Sequence, residues 1–150
     1  MANLSNSIGA GSSLFLDSAP LIYFVEQNPD YFALLSPIFT RIDEGDLTVV
    51  TSPITLAECL FYPYKNNDTA LVKAFSRRIV TGRNVRSIPI TSAIANHSAQ
   101  LRANYNLGFA DAFQVSTAIA AGCDFFITND RQLKRIQLLD VVVLSDYTKV

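Results

Sequence analysis

Four carboxylates occupy positions where an acid is conspicuous or costly: Asp17, Glu58, Asp111 and Asp130. Asp17 follows the apolar run Leu14-Phe15-Leu16, which reads as a buried parallel strand, and Asp130 closely follows a second run, Phe125 to Thr128. In an open parallel sheet ligands bind at the carboxyl ends of the strands, so these two turns place acids on one rim. Each is also a competent helix N-cap, the plainer role for either acid alone. Glu58 borders the apolar arc of Ile54, Ala57 and Phe61 on a helix opened by Ser52-Pro53. Asp111 shares its stripe with Val115 and Ala118 on the most apolar helix of the chain. A lone ionised acid there costs several kcal/mol unless an Arg, backbone donors or a cation compensates it. No Lys or Arg lies within one helical turn of Glu58 or Asp111, so a pairing partner has to come from elsewhere in the fold.

A divalent cation accounts for all four positions together. Hard carboxylate oxygens suit Mg²⁺ or Mn²⁺, and magnesium takes one or two direct carboxylates while keeping several waters. Without the metal the clustered acids repel one another, which raises their pKa values. Two such ions a few ångströms apart activate a water and stabilise the leaving oxygen in phosphodiester hydrolysis. The expected chemistry is therefore hydrolysis at a carboxylate-rich centre, provided the fold brings the four acids together.

Composition narrows the alternatives. The chain has 150 residues, 13 acidic and 12 basic side chains, a formal charge of −1, one His and two Cys. With one His no multi-His zinc cage can form, and Cys59 and Cys123 are too few for a disulfide scaffold. Both cysteines and His97 read as ordinary packing or surface residues. At 49% hydrophobic and 17% charged the chain is neither disordered nor wholly basic. Residues 1–13 carry no Lys or Arg, and the apolar stretch 14–25 is broken by Asp17 and Pro20. We therefore expect a cytoplasmic protein without a membrane span, a flexible segment over residues 1–12 and a single domain over 13–150.

Strands and helices alternate throughout. Strands are expected at 14–16, 47–50, 85–88, 125–128 and 141–144. Helices are expected from Ser18, from Asn28-Pro29-Asp30 to Glu44, from 54 to about 61, from 69 to 80, from Thr91 or Ser92 to Tyr105, from 109 to 121, and briefly over 131–136. Pro37 is expected to kink or split the second helix, and Tyr62 to Asp68 reads as a loop. This order implies right-handed crossovers and an α/β domain, a parallel sheet with helices on both faces.

Charge is unevenly spread. From Thr69 through Ala110 there is no Asp or Glu, while Lys73, Arg77, Arg78, Arg83, Arg86 and Arg102 fall in that window. Basic surface helices are common. The functional counterpart is a phosphate-tracking strip beside the acidic centre, with Tyr62, Tyr64 and Tyr105 available to stack on single-stranded bases.

The segments LDSAPLIYFVE (16–26), SPITLAE (52–58), GFADAFQVSTA (108–118) and FITND (126–130) follow one another in order, each carrying one of the four acids. On these motifs the chain resembles PIN domains, and among them the VapC-like ribonuclease toxins of prokaryotic toxin–antitoxin pairs. The resemblance implies a three-layer PIN-like fold with about five parallel strands and an acidic pocket for Mg²⁺ or Mn²⁺. By position, Asp17, Asp111 and Asp130 hold the metal directly or through water, and Glu58 positions or deprotonates the attacking water. Ser18 and Thr128 support them as neighbouring hydroxyls. Many members carry Asn where this chain has Ala19, which removes a supporting hydrogen bond from the metal site. The implied activity is a metal-dependent endoribonuclease with an RNA substrate, a cognate VapB-like antitoxin and a homodimeric state. The alternative is a PIN-like RNA- or protein-binding module without catalysis. A haloacid-dehalogenase-like phosphatase needs a second Asp at position 19, and a phosphoacceptor domain needs paired acids after the first strand; neither pattern is present.

Overall fold

Strand residues alternate between two apolar layers. In a computed structural model that describes residues 3–148, Leu14 and Leu16 of β1 (Ser13–Leu16) face one core. Val49 of β2 (Thr48–Thr51) and Ile127 of β4 (Phe125–Thr128) join them there, with Leu21, Leu35, Ile38 and Phe75. Phe15, Val50 and Phe126 point the other way, packing with Leu101, Val115 and Ala118. The Phe15 and Phe126 rings stack with centroids 5.1 Å apart. Successive strand side chains point to opposite faces, so a run apolar at every position requires cover on both sides.

That cover comes from the crossover helices. The five strands are all parallel, in the order β3-β2-β1-β4-β5, with β3 at Val85–Ser87 and β5 at Asp140–Val143. Helices α1 (Ser18–Val25), α2 (Phe32–Asp43), α3 (Pro53–Lys65) and α4 (Thr69–Ser76) contribute to the first core. Helices α5 (Ser92–Tyr105) and α6 (Phe109–Ala120) cover the second. The result is the three-layer α/β arrangement expected from the alternation. No helix among the described residues is long and apolar enough to cross a membrane.

Several boundaries differ from the sequence expectation, each for a local reason. The helix read from Asn28 starts at Phe32, because the Asn28 side chain accepts from Asp30 N (2.9 Å) and closes a turn instead. Pro37 lies within α2 without splitting it. Ala33, whose carbonyl loses a bond to the proline, is exposed, so water can replace that bond. The stretch Tyr62 to Lys65, read as a loop, continues α3. The stop comes at Asn67, which adopts the left-handed conformation (φ 54°).

After α4 the chain forms one π-helical turn, Arg77–Thr81, ending at Gly82. A Cβ on Gly82 would stand 2.7 Å from the Arg77 carbonyl oxygen, so only glycine fits that return. Residues 4–8, assigned from sequence to a frayed segment, are packed: Leu4 and Ile8 lie in the first core. The Arg41 guanidinium donates to the Ser5 carbonyl (2.7 Å) and the Ile8 carbonyl (2.9 Å). Residues 1 and 2 of that segment lie outside the described residues.

Candidate metal and active site

The four acids come from four separate elements and meet at the carboxyl rim of the sheet. Asp17 ends β1 and caps α1, its Oδ1 accepting from Ser18 N (2.9 Å). Its Oδ2 accepts from the Thr128 hydroxyl (2.9 Å) at the end of the neighbouring strand β4. Thr128 Oγ1 in turn accepts from Asp130 N (3.1 Å), so one buried hydroxyl links two of the acids. Asp130 caps the short 3-10 turn Arg131–Arg135 through Gln132 N (2.9 Å). Both N-cap roles anticipated from sequence are real, and they coexist with the clustering.

Glu58 reaches the site from α3. The Ser18 hydroxyl donates to its Oε1 (2.8 Å), tying α3 to the first turn of α1. Asp111 arrives on α6, in a less enclosed place than its apolar stripe implies. It sits in the first turn of α6, half-buried, and Glu58 is exposed, so neither acid lies in a helix interior sealed from water. The amino end of a helix also favours a negative charge, which makes Asp111 cheaper to hold than its apolar stripe suggested.

Electrostatics show the convergence. Burial pushes the Asp17 carboxyl up to about 6, and the charges of Asp111 and Glu58 add to the rise. The Thr128 and Ser18 hydrogen bonds oppose it. Asp111 is also raised, by burial first and then by the charges of Asp130 and Glu58. Among the described residues the ion pairs involve Asp43, Asp46 and Asp146, and none of the four site acids has one. Mutually repelling carboxylates with no basic partner form a donor set that suits a hard divalent cation. No group of three or more His, Cys, Asp or Glu among the described residues stands close enough to cage an ion. An ion held through one or two carboxylates and several waters fits this more open spacing. Cys59, buried beside the site, has its thiol pushed up to about 12 by burial and by the charges of Glu58 and Asp17. It is a packing residue, not a nucleophile.

The basic window divides: Arg102 lies at the acid end, donating to the Leu107 carbonyl (3.4 Å) and covering the Phe109 ring at the start of α6, whereas the arginines of residues 77–86 lie away from the acids. Arg77, Arg78 and Arg83 border a cleft of about 660 Å³ with Phe24, Gln27 and Asp43. Asp43 and Arg83 precede β2 and β3, and Phe24 closes α1, so the cleft opens at the amino rim. It is separated from Asp17 by α1, whose eight residues rise roughly 12 Å. Arg78 is further engaged, pairing with Asp43 (2.7 Å) and covering the Phe24 and Phe39 rings. Lys73 is exposed on α4, and Arg86 on β3 donates to the Ala121 carbonyl (3.1 Å). Tyr62 and Tyr64 project from α3, each 64% exposed.

Two supporting residues escaped the sequence reading. Asn129, between Thr128 and Asp130, donates to the Tyr31 hydroxyl (3.1 Å) and the Tyr23 hydroxyl (3.3 Å). Its side-chain Oδ1 accepts from Ser145 N (3.0 Å), fastening the rim loop to three other segments. Gln114, buried in α6, accepts from the Ser52 hydroxyl and donates to the Thr55 hydroxyl (2.6 Å). The available signal was a lone amide on an apolar helix, one turn after Asp111.

Known proteins match this arrangement. The fold resembles the structure of VapBC2 from Rickettsia felis bound to a promoter DNA fragment (TM-score 0.66, 19% identity, 87% of this chain and 98% of that chain). It also resembles a toxin–antitoxin complex from Klebsiella pneumoniae (TM-score 0.64, 23% identity, 88% and 97%). A third neighbour is VapC20 of Mycobacterium tuberculosis, described as a Sarcin-Ricin loop cleaving toxin (TM-score 0.62, 13% identity, 75% and 86%). No curated protein matches the sequence. The family model described as PIN domain matches residues 14–139, a span that takes in all four acids, both supporting hydroxyls and every strand but the last. The chain therefore belongs to the PIN domain family.

Proposed function

We propose that the protein is a metal-dependent endoribonuclease, the cytoplasmic toxin of a VapBC-type pair. The observation that carries this reading is the meeting of Asp17, Glu58, Asp111 and Asp130 with no ion pair to any of them among the described residues, and Asp17 raised to about 6. Asp17, Asp111 and Asp130 would hold Mg²⁺ or Mn²⁺, directly or through water. Such an ion polarises the phosphodiester and lowers the pKa of a bound water. Thr128 and Ser18 keep Asp17 and Glu58 oriented. Glu58 accepts the Ser18 bond at Oε1, which leaves Oε2 to orient the attacking water and take its proton.

The similar structures from Rickettsia felis and Klebsiella pneumoniae are toxin–antitoxin complexes, and we extend to this chain a VapB-like antitoxin partner and a homodimeric state. RNA is the substrate in this reading, and Arg77 and Arg83 serve only a strand long enough to reach the amino rim. The test is cleavage of single-stranded and structured RNA with Mg²⁺ or Mn²⁺, with chelator, and with Asp17→Ala and Asp111→Asn. Cleavage that needs the metal and both acids supports the proposal. Cleavage that survives chelation or both substitutions overturns it. Binding of Mn²⁺ and RNA without cleavage identifies a binding module instead.

A further inference from the structure

We infer that Gln114 is a positioning residue, setting the distance between Glu58 and Asp111 by tying α3 to α6 through Thr55 and Ser52. The inference rests on the functional reading only where it concerns metal and cleavage. The geometry stands by itself. Glu58 is carried by α3, which packs on the first core, and Asp111 by α6, which packs on the second. The two acids thus belong to different layers, and the sheet between them does not dictate their separation. Something at the rim has to bridge the layers.

The bridge is the Gln114 carboxamide, 1% exposed. Its Nε2 donates to Thr55 Oγ1 (2.6 Å), and its Oε1 accepts from Ser52 Oγ. Ser52 Oγ meanwhile accepts from Ile54 N (3.1 Å) and Thr55 N (3.3 Å), so the amide is locked onto the capped first turn of α3. Ser52 and Thr55 are themselves fully buried, which leaves the network no water to exchange with.

Spacing makes the bridge relevant to the site. Thr55 lies three residues before Glu58, and Gln114 lies three residues after Asp111. Residues three apart share a helix face, so each polar contact sits one turn from an acid. The Thr55–Gln114 bond and the Glu58–Asp111 pair are neighbouring contacts of one helix crossing. Like charges at the second contact repel, which favours a wider separation of the helices, and the hydrogen bonds at the first hold them together. Among the described residues no hydrogen bond or ion pair joins Glu58 to Asp111; the Glu58 carboxylate accepts from Ser18 on α1.

The experiment compares Gln114→Met, Thr55→Val and Thr55→Ser in the full chain. Mn²⁺ affinity is measured by calorimetry, and the α3–α6 separation by nitroxides at Phe61 and Phe109, exposed positions on the two helices. Gln114→Met and Thr55→Val should weaken Mn²⁺ binding about tenfold and broaden the nitroxide distance distribution. Thr55→Ser, which keeps the hydroxyl, should retain both wild-type values. Ile42→Val, a core substitution at the amino rim, controls for general destabilisation and should leave both readouts alone. Wild-type distances and Mn²⁺ affinity in Gln114→Met, or equal losses in Thr55→Ser and Thr55→Val, would overturn the role. If the wild-type protein binds no Mn²⁺, the nuclease reading fails while the nitroxide arm still decides the brace.

Discussion

The Thr128 hydroxyl donates to Asp17 Oδ2 at 2.9 Å, joining the ends of two adjacent parallel strands inside the carboxylate site. Thr128 is fully buried and also accepts from Asp130 N, so its single proton has one destination. The bond favours the ionised form of Asp17 and opposes the effect of burial. Thr128→Val keeps the shape and removes the donor. It should raise the Asp17 carboxyl above about 6 and weaken Mn²⁺ binding about tenfold at neutral pH, as loss of a supporting hydrogen bond typically does. Calorimetric titration at pH 7 checks this; an unchanged affinity would remove Thr128 from the site's support.

Asp17 itself makes the metal-free fold sensitive to pH. Its folded carboxyl is raised from 3.8 to about 6, so between those values the folded state holds the proton more tightly than the unfolded chain does. Stability then falls as pH rises through that window and levels off above about 6. Two pKa units correspond to roughly 3 kcal/mol, and the carboxamide of Asp17→Asn also disturbs the Thr128 bond. The substitution should therefore stabilise the metal-free protein by about 1–2 kcal/mol at pH 7 and by nothing measurable at pH 4. Asp111, shifted in the same direction, adds to the wild-type slope. Urea unfolding at the two pH values is the measurement, and a less stable Asn variant at pH 7 would contradict the assignment of repulsion and burial to this group.

Much of this site was legible in the chain because strand ends and helix caps are local signals. Asp17 after Leu16 and Asp130 after Thr128 declare their rim through the period and length of the apolar runs. The α3 cap at Ser52-Pro53 places Glu58 by counting turns. What local signals do not carry is the packing between layers. The register of α3 against α6 depends on Gln114, whose partners are 59 and 62 residues away. The placement of the arginines is likewise not a local signal. Their clustering along the chain is real, but Arg77 and Arg78, in the π-helical turn, border the cleft at the amino rim, away from the acids. Leu4 and Ile8, two apolar residues among small polar ones, make no periodic pattern that would declare their burial. The partner that bonds their segment, Arg41, stands more than thirty positions on.

Arg41 offers a direct test of that anchoring. Its guanidinium binds the Ser5 and Ile8 carbonyls and pairs with Asp46 (2.6 Å), closing the N-terminal segment over the end of α2. Hydrogen bonds to a charged group contribute about 1.5–3 kcal/mol each, and carbonyls left without donors add a desolvation cost. Arg41→Ala should destabilise the fold by roughly 2–3 kcal/mol and expose residues 4–8 to rapid amide exchange. The carboxylate rim lies at the far end of the strands, so Mn²⁺ affinity should be retained. Exchange that stays slow across residues 4–8 would show that Leu4 and Ile8 hold the segment by burial alone.

The distance between the arginine cleft and the acids makes a prediction about substrate length. Arg77 and Arg83 are exposed, lack an ion pair among the described residues, and lie about a helix length from Asp17. A short oligonucleotide bound at the carboxylate rim ends before it meets them. A structured RNA that continues past the rim can place phosphates there, each neutralised charge releasing counterions. Arg77→Glu with Arg83→Glu should therefore weaken binding of a structured RNA about tenfold at low salt and reduce the salt slope by about two. Cleavage of the short oligonucleotide should proceed at the wild-type rate. Equal losses on both substrates would place these arginines in the reacting part of the site, against the separation described above. No loss on either would leave Arg77 and Arg83 without a part in RNA recognition.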